Sequence, residues 1–115
     1  FDIGAEGRLG NRRCWAPTMT DMAQPRVPDG ICLDADGAVW IASATASECI
    51  RIAEGGAVLD VVTATQNVFA CMLGGEDGRT LFMMTAPTSD DEEAAREPNG
   101  RIELANVEIP RAGLP

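Results

Sequence analysis

The chain has 115 residues, no histidine, and a formal charge of −9 from 18 acidic and 9 basic residues. That length suits one domain with a modest core, and the acidic balance argues against nucleic acid and anionic membranes, whose phosphates need clustered basic side chains. No run approaches the roughly 20 apolar residues of a membrane span, and without histidine neither a Ser-His-Asp nor a Cys-His site can form within these residues.

Taken in chain order, Phe1-Asp2-Ile3 has no initiator Met and runs straight into a turn, as though already inside a sheet. The simplest expectation is the C-terminal portion of a longer protein. Arg8 to Ala16 reads as an outer hairpin half, and the proline-rich Pro17 to Pro28 reads as a loop. Ile31 to Leu33 and Val39 to Ser43 are apolar strands around Ala35-Asp36-Gly37, an Asp-Gly hairpin turn suited to positive φ. Glu48 to Ala53 and Ala57 to Thr63 form a second hairpin around Gly55-Gly56. Thr65 to Asn67 is a crossover into an inner strand, Val68 to Leu73, with Thr80 to Thr85 following the Gly78 turn. Ser89 to Glu97 places acids before Ala94-Ala95, a short helix capped by Ser89 or Asp90. A solvated connector is favoured there over a lid or partner surface. Arg101 to Ile109 is a last strand ending against Pro110.

The acidic Gly turns recur ahead of apolar strands at Glu6-Gly7, Asp36-Gly37 and Asp77-Gly78, with Gly55-Gly56 between the last two. Repeats of about 40–50 residues, each a four-stranded unit built from hairpins, are the pattern of β-propeller blades, so consecutive four-stranded units are expected here, the first one incomplete at its N-terminal side. The expected fold is therefore all-β, two to three blades of a propeller, with a plain antiparallel sandwich as the alternative. The expected divisions are 1–16 for the end of one blade, 27–64 for the next, and 65–110 for the last. Closed propellers typically need about four to eight blades. Exposed sheet edges, and association with further propeller strands or another chain, are expected to follow.

Val27-Pro28-Asp29-Gly30 is the stretch with the most chemical content. Pro28 restricts φ and Gly30 is conformationally free, so Asp29 is held in a stiff local frame at the start of an inner strand. A carboxylate presented there suits metal binding or general-base work. The bland alternative is that Asp29 only hydrogen-bonds its own turn. Asp34 and Asp36 lie beyond the strand and are expected to face solvent at the opposite end. Asp34-Ala35-Asp36-Gly37 is not a calcium loop, because an EF-hand needs Gly sixth and Glu twelfth. Cys14, Cys32, Cys49 and Cys71 are widely spaced without C-x-x-C, so they read as reduced, unpaired structural thiols, which suits a cytoplasmic location.

Four stretches together resemble the gluconolactonase, luciferin-regenerating enzyme and senescence marker protein family of six-bladed propellers. They are Phe1-Asp2-Ile3 with Gly7-Arg8-Leu9-Gly10-Asn11-Arg12-Arg13, Val27-Pro28-Asp29-Gly30 with Asp34 through Ala42, Ala70 through Gly75 with Thr80-Leu81-Phe82, and Gly100-Arg101-Ile102. The resemblance implies a divalent cation on the propeller axis, with Asp29 as one ligand and as a catalytic carboxylate. The remaining familial ligands would lie upstream of Phe1. It further implies hydrolysis of a lactone, sugar lactone or related cyclic ester, with Ca²⁺ the preferred ion and Zn²⁺ or Mg²⁺ as alternatives. The isolated chain would be inactive, since calcium wants about 6–8 oxygens. After Ala42 the family usually continues with polar residues, whereas Ser43-Ala44-Thr45-Ala46-Ser47 stands here. The competing reading is a non-catalytic propeller segment that binds a small ligand or a protein partner.

Overall fold

A computed structural model describes residues 1–17 and 26–113. Among these residues the chain is nearly all β, in antiparallel sheets. A short hairpin of β1 (Asp2–Ile3) and β2 (Leu9–Gly10) opens the chain. Most of the proline-rich loop lies outside the described residues.

The first large sheet contains β3 (Pro28–Leu33), β4 (Val39–Ser43), β5 (Glu48–Ile52) and β6 (Val58–Thr63) in sequence order. The second contains β7 (Asn67–Gly74), β8 (Thr80–Ala86) and β9 (Arg101–Asn106), again in order. Sequential pairing follows from the short turns. Gly37 and Gly78 adopt φ of 79° and 74°, a conformation costly for any residue with a Cβ. The strands expected from Ile31 onward are present, with ends shifted by a few residues, whereas of Arg8 to Ala16 only Leu9–Gly10 is a strand.

Two expectations need correction. The last unit is not four-stranded: β7, β8 and β9 are its only strands among the described residues. The final strand also stops at Asn106 rather than Ile109: Val107 still donates to the Arg79 carbonyl at 2.9 Å in the β8–β9 register, but beyond it the Pro110 carbonyl and the Arg111 N–H are taken up by Ala35 and Gly78.

The core lies between the two sheets. Trp40 and Ala42 of β4 pack with Val68, Cys71 and Leu73 of β7 and Leu81 and Met83 of β8, all buried. Alternation decides which residues enter: β8 buries Leu81, Met83 and Thr85 and half-exposes the residues between them. Each fully buried large apolar side chain contributes about 1.5–3 kcal/mol relative to exposure. A smaller cluster, Ile41, Ile50 and Ile52, occupies the other face of the first sheet.

Helix α1 (Asp91–Arg96) interrupts the β8–β9 connection. Of the two candidate caps, Asp90 is the one used, accepting from the Glu93 N–H at 2.8 Å. All six helical residues are exposed, as a solvated connector requires.

Candidate functional site

β3 and β7 are the first strands of their sheets and lie side by side. Both carry a register irregularity at the same level. In β3, Pro28 pairs with Ser43 and Ile31 with Ile41, which leaves one extra residue at Asp29-Gly30. In β7, Val68 pairs with Thr85 and Ala70 with Met84, which leaves Phe69 as the extra residue. Bulges re-aim side chains and locally interrupt a ladder. The two meet: a Cβ on Gly30 would stand 2.6 Å from the Ala70 Cα and 3.1 Å from the Phe69 oxygen. Glycine is thus required at position 30 by the approach of the neighbouring backbone.

Asp29 is exposed at this bulge. None of the side-chain ion pairs among the described residues involves it. From β7, the Cys71 thiol reaches the carbonyls of Gly30 at 3.5 Å and Trp40 at 3.7 Å, alternative acceptors for its single proton. Cys71 also shares hydrogen bonds with the thiols of Cys32 and Cys49. The bond to Cys71, followed by burial, pushes the Cys32 thiol up. The Cys32 bond pulls the Cys71 thiol down, but the Cys49 bond and burial outweigh it and push it up to about 12. All four cysteines are free: Cys14 is exposed and the other three are buried. The buried three are free thiols packed in the core.

The opposite end of β3 departs from expectation. Asp36 is solvent-facing, as its place in the turn suggests, with a side chain 60% exposed. Asp34 does not face solvent: its side chain is fully buried. Its carboxylate accepts the N–H groups of Asp36 at 2.9 Å and Ala38 at 3.0 Å, and Arg51 Nε at 2.5 Å. These bonds hold the turn closed from inside and tie it to β5. Arg51 is the residue that sequence reasoning missed. The available signal was an arginine inside the apolar run Cys49-Ile50-Arg51-Ile52. Its hydrogen bond to Asp34 raises the guanidinium further above its ordinary value, against the opposing effect of desolvation.

Among the described residues, no group of three or more His, Cys, Asp or Glu side chains could hold a metal ion. Asp29 offers a single carboxylate against the roughly six to eight oxygens of a calcium site. Taken alone, therefore, these residues do not fit a cation centre. No helix among them is long and apolar enough to cross a membrane.

The family described as SMP-30/Gluconolactonase/LRE-like region matches residues 1–87. The chain belongs to this family. Regucalcin of Danio rerio is 29% identical over 119 residues, covering 100% of this chain and 39% of that protein. Regucalcin of Gallus gallus is 28% identical over 102 residues, covering 85% of this chain and 33% of that protein. The chain therefore spans well under half the length of these relatives. A solved structure of luciferin-regenerating enzyme superposes with a TM-score of 0.62 at 24% identity, covering 76% of this chain and 30% of that one. This likeness speaks to the fold, which is that of consecutive β-propeller sheets.

Proposed function

We propose that this chain is a segment of a divalent-metal-dependent hydrolase of lactones or related cyclic esters, in which Asp29 is both a metal ligand and the catalytic carboxylate. One observation carries the reading: Asp29 is displaced from its ladder by a bulge, exposed, and absent from every side-chain ion pair among the described residues. A carboxylate with no structural task is available for a cation or a proton. The family to which the chain belongs supports lactone chemistry in general terms.

When bound, a divalent cation supplies Lewis-acid stabilisation of the oxyanion that develops on a lactone carbonyl. Beside such a cation, the Asp29 carboxylate would be the group to accept a proton from an attacking water. A hard carboxylate oxygen favours Ca²⁺, with Mg²⁺ or Zn²⁺ as alternatives. The missing oxygens come from further strands of the same propeller or from another chain. Apolar side chains left exposed on both large sheets support such a partner: Ile31 and Leu33 on β3, Ile102 and Leu104 on β9. The buried, unpaired thiols support a reducing, cytoplasmic setting.

The test compares the complete propeller with the 115-residue chain on neutral and sugar lactones, with and without chelator. Turnover by the complete protein, lost on chelation and restored by calcium, supports the reading, as does inactivity of the isolated chain. Lactone binding without turnover in the complete protein overturns it in favour of a ligand-binding propeller.

A further inference from the structure

The segment after β9 crosses both sheets at the end opposite Asp29. On the second sheet, Arg79 Nε donates to the Glu108 carbonyl at 2.8 Å. The Arg111 N–H donates to the Gly78 carbonyl at 3.0 Å, and Arg111 Nη1 to the Gly75 carbonyl at 3.2 Å. On the first sheet, the Ala35 N–H donates to the Pro110 carbonyl at 2.8 Å and the Ala112 N–H to the Leu33 carbonyl at 3.2 Å. Arg111 also forms an antiparallel bridge with Asp34. The same few residues thus hydrogen-bond to the β3–β4 turn and to the β7–β8 turn.

No ladder joins β3 to β7, since they belong to separate sheets. Their register along one another rests on side-chain packing, on the contact of Gly30 with Ala70, on the weak Cys71 thiol bond to the Gly30 carbonyl, and on this strap. The strap holds one end of β3 and Asp29 stands at the other, beside the Gly30–Ala70 contact. A strand of six residues is about 20 Å long. A slip of β3 along β7 once the strapped end is released therefore carries Asp29 and Gly30 with it, and a displacement of about 1 Å at a reacting group can cost roughly 100-fold in rate.

We infer that residues 107–112 are a positioning element for Asp29, acting through the Asp34 end of β3 and the Gly75–Gly78 turn. The inference rests on the lactonase reading for its catalytic consequence, but its geometric consequence can be measured separately. The strap touches neither substrate nor cation. It fixes the sheet-to-sheet register that presents the carboxylate.

The experiment uses the complete propeller, wild type and with three changes. These are a stop after Ile109, Ala112→Pro, which removes one N–H donor, and Arg111→Lys, which keeps a cation near Gly75. Amide NMR shifts of Gly30 and Ala70 report the register, calcium titration reports affinity, and kcat and KM are measured separately. The stop and Ala112→Pro should move both amides, lower kcat at least tenfold and leave KM within twofold, while Arg111→Lys should retain most of the rate. If the stop variant does not fold, Ala112→Pro carries the same readouts. Unmoved amides, with or without a loss of thermal stability, overturn the inference. Moved amides with unchanged kcat also overturn it. Moved amides in a protein that turns over no lactone in its wild-type form sink the lactonase reading and leave the positioning role standing.

Discussion

The two ends of β3 each present an aspartate, and the pair is treated in opposite ways. Asp34 is buried and accepts hydrogen bonds from two backbone amides and Arg51. Asp29 is exposed on a bulge and enters no side-chain ion pair among the described residues. A buried carboxylate is tolerated only when its charge is paired and its lone pairs are satisfied. One that remains exposed and uncommitted retains its capacity for a cation or a proton. The difference separates a carboxylate committed to the fold from one left uncommitted, at the two ends of one strand.

The contrast breaks first at Asp29. Asp29→Ala in the complete propeller is expected to lower lactone turnover at least about 1,000-fold and weaken calcium binding, while the thermal midpoint shifts little. Steady-state kinetics and calcium titration check this. Near-normal turnover would leave Asp29 as an ordinary surface turn residue.

At the other end the expected loss is in stability. Arg51→Ala strands the Asp34 carboxylate in the interior and should cost about 3–5 kcal/mol, read from denaturant unfolding of the complete protein. Replacing the pair by apolar residues of similar volume should cost less than removing Arg51 alone, because no orphaned charge remains. If the single change proved the milder of the two, the pair would not be holding the turn as its geometry indicates.

Between the two ends lies Gly30. Gly30→Ala places a methyl group 2.6 Å from the Ala70 Cα, so the inner strands must separate. Overpacking of this kind costs about 1–3 kcal/mol. Because the adjustment falls beside Asp29, activity should drop by more than the change in stability explains. Equal retention of activity and of the unfolding midpoint would show that the bulges accommodate the methyl group freely.

Two smaller effects sharpen the comparison. Asp36→Ala removes an exposed partner of Arg51 at 3.2 Å and should cost no more than about 1 kcal/mol by the same unfolding assay. A pH titration of stability addresses Glu103 on β9. There the hydrogen bond from the Thr65 hydroxyl, helped by its N–H and by Thr85, lowers the carboxyl below its ordinary 4.5. A lowered folded-state value means that the unfolded chain binds the proton more readily. The contribution is complete above about pH 4.5 and is lost as pH falls through the folded value. Glu103→Gln should flatten that part of the profile.

Much of this architecture was legible in the residues. Alternating apolar runs separated by Asp-Gly and Gly-Gly turns marked the strands, because a half-buried strand has a period of two and its turns need positive φ. The acids at Asp90 to Glu93 ahead of Ala94-Ala95 marked the one helix, and the cap proved to be Asp90. Pro28-Asp29-Gly30 marked a constrained carboxylate at the head of an inner strand. What each aspartate does, however, depended on partners distant in sequence. Arg51 lies 17 residues from Asp34, and Ala70 meets Gly30 across a boundary between sheets. A turn motif carries no information on whether its carboxylate will be covered. Likewise, Val107 to Ile109 continues the expected strand, yet the chain leaves β9 after Val107 because the carbonyls of Gly78 and Leu33 accept the Arg111 and Ala112 N–H groups. Local sequence determined where the strands and turns form, since sterics and hydrophobic alternation act over a few residues. Only the tertiary structure decided which carboxylate is buried and which is spared, because burial and pairing depend on what the rest of the chain brings alongside.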